Sequence, residues 1–176
     1  MSKMFLMCGI CGSGKSYWAK KFTKEHNYYY LNVDDYYAIV NGNEKIHENK
    51  FEVWQLFFKE IYNAYKQGLN IVIDTNAPYI FDRQEFLNWF PDFNEHHLIW
   101  IKASLDLAWK NNINRDRKIS PEGFHYNVIN FTEPTPQEPG GRANWDSIVC
   151  IENVNNIFQK AEIIKSAVKG KDWYNE

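Results

Sequence analysis

Gly9-Ile10-Cys11-Gly12-Ser13-Gly14-Lys15-Ser16 fits the pattern G-x-x-x-x-G-K-[ST] at every position. Lys3 to Cys8, just before it, reads as a short buried strand, and Lys15 to His26, just after it, reads as a helix. In that setting a glycine-rich turn aims backbone N–H groups at phosphate oxygens, and the positive end of the helix adds to the field. Lys15 can reach β- and γ-phosphates, and the Ser16 hydroxyl can hold Mg²⁺. The stretch predicts a nucleoside triphosphate site. A chance glycine-rich turn is the alternative, and the flanking strand and helix count against it.

Working outward, strands alternate with helices. Tyr28 to Val33 is aromatic and β-prone and runs into Asp34-Asp35. Asn41-Gly42-Asn43 marks a turn. Phe51, Trp54, Phe58, Ile61, Tyr62 and Tyr65 recur at helical spacing, and Gly68 is placed to stop that helix. Leu69 to Ile73 reads as a buried strand ending in Asp74-Thr75-Asn76, and Pro78 opens a helix reaching Phe90. His97 to Ala103 reads as a strand, Leu105 to Arg115 as a helix, and the region from Phe124 to Phe131 as a short helix. Pro134, Pro136 and Pro139 make Glu133 to Gly141 a loop. Ile148 to Ile151 is the last expected strand, with a final helix over Asn153 to Lys169. The alternation predicts an α/β fold of the P-loop NTPase kind: a mainly parallel sheet covered by helices on both faces. Ligands of such sheets sit beyond the carboxyl ends of the strands. That rule gathers the loop, Asp34-Asp35 and Asp74-Thr75-Asn76 at one rim.

At 176 residues, 44% of them apolar, the chain suits one globular domain over residues 1–176 rather than two. A net charge of −2 excludes a global basic field for long nucleic acid. No signal peptide or membrane-length apolar run is evident, so a cytoplasmic location is expected. Cys8, Cys11 and Cys150 do not form a disulfide framework, and the C-x-x-C spacing of the first two merely straddles the loop. His47-Glu48 lacks the second histidine of a zinc-protease motif.

Phosphoryl transfer needs a cradle, a metal, a group to take the hydroxyl proton, and positive charge over the transferred group. Asp34 is placed to accept that proton, or else to cap the next helix. Asp74 steadies the metal shell or the substrate, or else builds an Asx-turn. Arg115, Arg117 and Lys118 suit either a lid laid over the phosphates or a solvated basic face.

Gly12 to Ala19, Asn32-Val33-Asp34-Asp35-Tyr36 and Ile73-Asp74-Thr75-Asn76 resemble the kinase domain of the phage polynucleotide 5′-kinase family. Asn111 to Pro121 resembles that family's arginine-bearing lid, here spanning about residues 111–130. The pattern Phe131…Pro134…Trp145-Asp146…Ile148 is similar to related small P-loop kinases. The resemblance implies transfer of the ATP γ-phosphate to the 5′-hydroxyl of DNA or RNA. It assigns the nucleotide to Gly12, Ser13, Gly14, Lys15, Ser16 and Tyr17, with Ser16 also serving Mg²⁺. It makes Asp34 the general base, Asp74 and Thr75 substrate-side groups, and Arg115 the lid arginine, with Lys15 and Arg115 acting in catalysis beside Asp34. The family places phosphate-holding arginines on either side of its D-D-Y segment, where this chain has Val33 and Tyr37. Arg83 or Lys50 is the candidate substitute, and Tyr36 or Tyr37 the candidate platform for a terminal base.

Three functions remain open on the sequence. One is an ATP-dependent polynucleotide 5′-hydroxyl kinase. The second is a small-molecule kinase of the same class, acting on a nucleoside, sugar nucleotide or antibiotic hydroxyl. The third is a nucleotide-binding switch without turnover.

Overall fold

Lys3–Cys8 forms β1, and five of its six residues are buried. Met4, Leu6 and Cys8 point into one apolar cluster, while Phe5 and Met7 point into a second on the opposite face. A strand covered on both faces must be apolar at every position, which is why this segment carries no alternation. The computed structural model describes residues 1–166. Its elements are β1, α1 (Lys15–His26), β2 (Tyr29–Asn32), α2 (Val33–Asn41), α3 (Lys50–Lys66), β3 (Ile71–Asp74) and α4 (Ile80–Trp89). They continue with β4 (Glu95–Ala103), α5 (Leu105–Asn114), α6 (Pro121–Ile129), β5 (Ser147–Val154), β6 (Ile157–Phe158) and β7 (Glu162–Ser166).

The sheet order is β2-β3-β1-β4-β5-β6, with β7 also paired to β5. The five strands from β2 to β5 are parallel, and β6 and β7 join β5 antiparallel. One face is covered by α1 through Ala19 and Phe22. The other is covered by α2, α3 and α4 through Tyr37, Val53, Phe57, Ile61, Phe86 and Leu87. This is the P-loop NTPase α/β architecture expected from the alternation. The sheet reverses direction of growth at β1, so the loop leaving β1 opens at the crevice where such sheets hold ligands.

Four expectations change. The helix expected over Asn153 to Lys169 is absent through Ser166, and its last three residues lie outside the described chain. Instead Asn155 and Asn156 both take positive φ, 54° and 64°, and turn β5 straight into β6. That is the backbone a two-residue hairpin needs, and asparagine tolerates it. The open edge of β5 supplies hydrogen-bond partners that outweigh any local helical preference. On α3 the fully buried stripe is Val53, Phe57, Ile61 and Ala64, while Phe51 is 82% exposed and Tyr62 50% exposed. Aromatic residues marked the right period but a face rotated from the true one. Val33 opens α2 rather than closing β2, so Asp34 stands in a helical first turn. Pro78 lies before the N-cap Tyr79 instead of starting α4.

Candidate active site

Gly12 (φ +78°) could carry no side chain, since a Cβ there would lie 2.1 Å from the Ala108 carbonyl oxygen. Gly14 (φ +99°) is the N-cap of α1 and is approached by Asn153 and Phe158. Three distant asparagines brace the turn. Asn111 Nδ2 donates to the Gly12 carbonyl at 2.9 Å, and Asn153 Nδ2 donates to the Ser13 carbonyl at 2.8 Å. The Cys11 N–H donates to Asn127 Oδ1 at 2.6 Å, tying α6 to the loop. The sequence reading missed this bracing. Its partners lie 99, 140 and 116 residues from the loop, so no local pattern announces them.

Lys15 is 6% exposed, and its ammonium donates to the Gly9 and Ile10 carbonyls at 2.8 and 2.9 Å. Burial pulls its pKa below the ordinary lysine range, and the Asp74 carboxylate acts in the opposite direction. Asp74 closes β3, is 3% exposed, and accepts the Tyr30 hydroxyl at 2.6 Å. That bond aims the carboxylate along the rim. Burial beside this carboxylate pushes the Tyr30 hydroxyl far above its ordinary pKa, so it remains a donor.

Asp34 stands in the first turn of α2, whose cap is the Asn32 side chain accepting from the Asp34 N–H at 3.0 Å. The capping role open to Asp34 therefore belongs to Asn32, and the Asp34 carboxylate faces outward. There it pairs with Arg117. Arg117 also lies 3.1 Å from His47 Nε2, and the His47 ring packs on Tyr37 at 4.3 Å between centroids.

A cavity of about 940 Å³ joins these groups. Gly12, Gly14, Lys15, Ser16, Tyr17, Asp34, Tyr37, Asp74, Thr75 and Arg115 all line it. Ser13 of the same loop is fully buried and is not among the lining residues. Arg115 is the C-cap of α5, and its Nε is buried with no hydrogen-bond partner among the described residues. Burial lowers its pKa, with nearby Cys11 opposing. Within the lining the Tyr17 ring stacks on Phe158 at 5.8 Å and 7°, and the amides of Asn111 and Asn156 pair with each other. Trp54, Phe58, Phe86 and Trp89 line the cavity as well, with Asp82 and Glu85. The hydroxyl of Ser16 and the carboxylate of Asp74 both line the cavity, and oxygen donors of this kind suit a hard cation such as Mg²⁺.

Arg83 is turned inward and is not among the residues lining the cavity. It is fully buried, its Nε donates to Glu138 Oε1 at 2.5 Å, and its Nη1 donates to the Ala77 and Pro78 carbonyls. A lone arginine in an amphipathic helix gives no sign in sequence that an acid from a proline-rich loop will cover it. Lys50 is exposed at the start of α3 and is not part of the cavity wall. Of the two candidate stacking tyrosines, Tyr37 lines the cavity, whereas Tyr36 packs edge-on against Phe57 at 5.1 Å. Among the described residues no helix is long and apolar enough to cross a membrane.

The L-seryl-tRNA(Sec) kinase of Methanococcus maripaludis is 27% identical over 153 residues, 81% of this chain and 56% of that protein. A protein of Acanthamoeba polyphaga mimivirus named for a bifunctional polynucleotide phosphatase/kinase is 26% identical over 168 residues, 90% of this chain and 34% of its own length. The chain thus spans roughly half and a third of these two relatives. Among solved structures, a sugar kinase from Janibacter sp. HTCC2649 superposes with a TM-score of 0.63 at 10% identity, covering 86% of each chain. A chain of the Pnkp1/Rnl/Hen1 RNA repair complex superposes with a TM-score of 0.64 at 18% identity, covering 73% of this chain and 43% of that one. These two likenesses speak to the fold alone. The family model described as an AAA domain matches residues 4–129, most of the chain, and with its phosphate loop and parallel sheet the protein belongs to that family.

Proposed function

We propose that this protein is an ATP-dependent phosphotransferase that moves the γ-phosphate to a hydroxyl, with the 5′-hydroxyl of a polynucleotide as the acceptor. The observation carrying the reading is that the phosphate loop with Lys15, and Asp34, Asp74 and Arg115 from separate elements, all line one cavity of about 940 Å³. The backbone N–H groups from Gly12 to Tyr17 hold the phosphates, and Lys15 exchanges its two loop carbonyls for phosphate oxygens. Tyr17 and Phe158 offer a shelf for the nucleotide base, with the Asn111 and Asn156 amides at its edge. Asp34 takes the acceptor proton as the hydroxyl oxygen bonds to γ-phosphorus, and the bond to the bridging oxygen breaks to release ADP. Arg115, on a lid of about residues 111–130, supplies positive charge to the transferred group. Ser16 would hold Mg²⁺ with Asp74 alongside, and the metal supplies charge neutralisation at the β- and γ-oxygens.

The mimivirus and Methanococcus relatives are named for acceptors that are nucleic acid or are carried on it, and the aromatic residues in the cavity lining suit a terminal nucleoside. One observation favours a small-molecule acceptor instead. The cavity lining includes Asp82 and Glu85, and its cations Lys15, Arg115 and Arg117 sit at the loop and lid.

The test is transfer from γ-labelled ATP with Mg²⁺ to a 5′-hydroxyl DNA oligonucleotide, a matching RNA and a nucleoside panel. Label on an oligonucleotide 5′ end supports the first acceptor, and label confined to small acceptors moves the protein to the second. Nucleotide binding with no transfer to any of them would remove the phosphotransferase reading.

A further inference from the structure

His47 lies in the irregular segment between α2 and α3, in no motif of the sequence. The segment is pinned by Asn41, whose Nδ2 donates to the Ile46 and Glu48 carbonyls at 2.8 and 3.1 Å, and by Asn49, which donates to Asn41 Oδ1 at 3.0 Å. This places the imidazole on the Tyr37 ring with Nε2 facing Arg117 Nη2 at 3.1 Å. A guanidinium has donors and no acceptor, so His47 Nε2 must be the acceptor, and the ring is neutral with its proton on Nδ1. The other arm of the same guanidinium lies on the Asp34 carboxylate. One arginine therefore bridges an imidazole and the carboxylate placed to take the acceptor proton.

We propose that His47 is a positioning residue: as a neutral imidazole it holds Arg117 across Asp34, and on protonation it releases Arg117 and the lid segment that carries it. The inference rests on the proposed reaction for its consequence in turnover, but the latch itself is a property of the protein alone. The groups facing His47 are Tyr37 and Asp34 from α2, Lys50 from the start of α3, and Arg117 from the lid, with Glu48 beside it in the chain. Partial desolvation lowers the His47 pKa, Arg117 and Lys50 lower it further, and Asp34 opposes them. The latched arrangement binds one proton fewer than the released one, so it is favoured as pH rises and lost as pH falls through the His47 pKa. The Arg117–Asp34 pair holds Arg117 only weakly by itself, because its side chains are 24% and 33% exposed and water screens it.

The test is an NMR titration of the full chain with labelled histidine and backbone amides. His47 should titrate below the ordinary histidine value, and Arg117→Gln should raise its midpoint. The amides of residues 115–119 should shift with that same midpoint, and in His47→Gln, whose side-chain oxygen still accepts but does not titrate, they should not. A His47 midpoint indifferent to Arg117→Gln, or lid amides that ignore it, overturns the proposal whether or not any acceptor is phosphorylated. In turnover, His47→Gln should keep kcat within about threefold at pH 8 and lose the His47 part of the acid limb, while His47→Ala lowers kcat about tenfold with KM for ATP unchanged. A wild-type acid limb in His47→Gln would refute the link to turnover. Absence of transfer in the wild type would instead count against the proposed reaction and leave the titration to decide the latch.

Discussion

Arg83 and Glu138, 55 residues apart, form an ion pair of 2.5 Å whose side chains are 0% and 1% exposed. It joins α4 to the proline-rich loop beneath the cavity. It also decides which arginines can act in the cavity, because Arg83 is spent on structure while Arg115 and Arg117 line the wall. Ala77, at φ +39°, gives its carbonyl to the same guanidinium, so the pair also shapes the turn after Asp74.

Removing one partner leaves a buried charge. Arg83→Met should cost about 3–5 kcal/mol of stability, and Arg83→Met with Glu138→Leu should recover most of it. Urea unfolding of the two variants measures the difference. An unchanged unfolding midpoint for Arg83→Met, together with a raised KM for the acceptor, would return Arg83 to substrate binding.

Asp34→Asn and Lys15→Ala should fail differently. Asp34→Asn should lower transfer about 10²–10⁴-fold with nucleotide affinity retained, since only proton transfer is lost. Lys15→Ala should weaken both nucleotide binding and turnover, because its ammonium serves ground state and transition state alike. Equilibrium titration with a fluorescent ATP analogue beside steady-state rates separates the two effects. Near-normal rates in a folded Asp34→Asn protein would remove the base assignment.

The hairpin that replaces the expected helix presents Phe158 to Tyr17. If this is the base shelf, Phe158→Ala should weaken nucleotide binding by about 1–3 kcal/mol, the usual worth of a stacking ring. Inorganic triphosphate, which has no base, should bind the variant and the wild type equally. Equal weakening of both ligands would point to disturbance of Gly14 instead.

His97 should make stability depend on pH. Its ring stacks on Phe5 at 4.7 Å, with Ser147 Oγ 2.8 Å from Nδ1 and Glu95 3.0 Å from Nε2. Burial pushes its pKa down to about 4, against the opposing pull of Glu95 and Asp146. The unfolded chain takes up the proton near pH 6.5, so stability is full above that value and falls as pH drops toward 4. The loss should be on the order of 3 kcal/mol at most. Denaturant midpoints from pH 7.5 to 4 should fall less steeply in His97→Gln than in the wild type. Parallel slopes would show that the carboxylates, not His97, set the dependence.

The phosphate loop, β1, the run of parallel strands and the acid that ends β3 were all legible in sequence. Each rests on interactions among near neighbours: glycines where the backbone must turn with positive φ, unbroken apolar residues where a strand is covered on both faces, and an acid where a strand stops. Sequence singled out Arg115 and Arg117, but it did not show that Arg83 is unavailable, because the acid that covers Arg83 lies 55 residues away. Glu138 takes one, His47 and Asp34 take another, and the Arg115 Nε has no hydrogen-bond partner among the described residues. Nor could sequence show the three asparagines bracing the loop, or the hairpin that follows β5. Those depend on contacts spanning about a hundred residues or more and on an open strand edge, and such partners exist only once the chain has folded. Sequence by itself determined the fold and the rim on which chemistry gathers; tertiary structure decided which charges face the cavity, because burial and pairing belong to the folded arrangement rather than to any residue type.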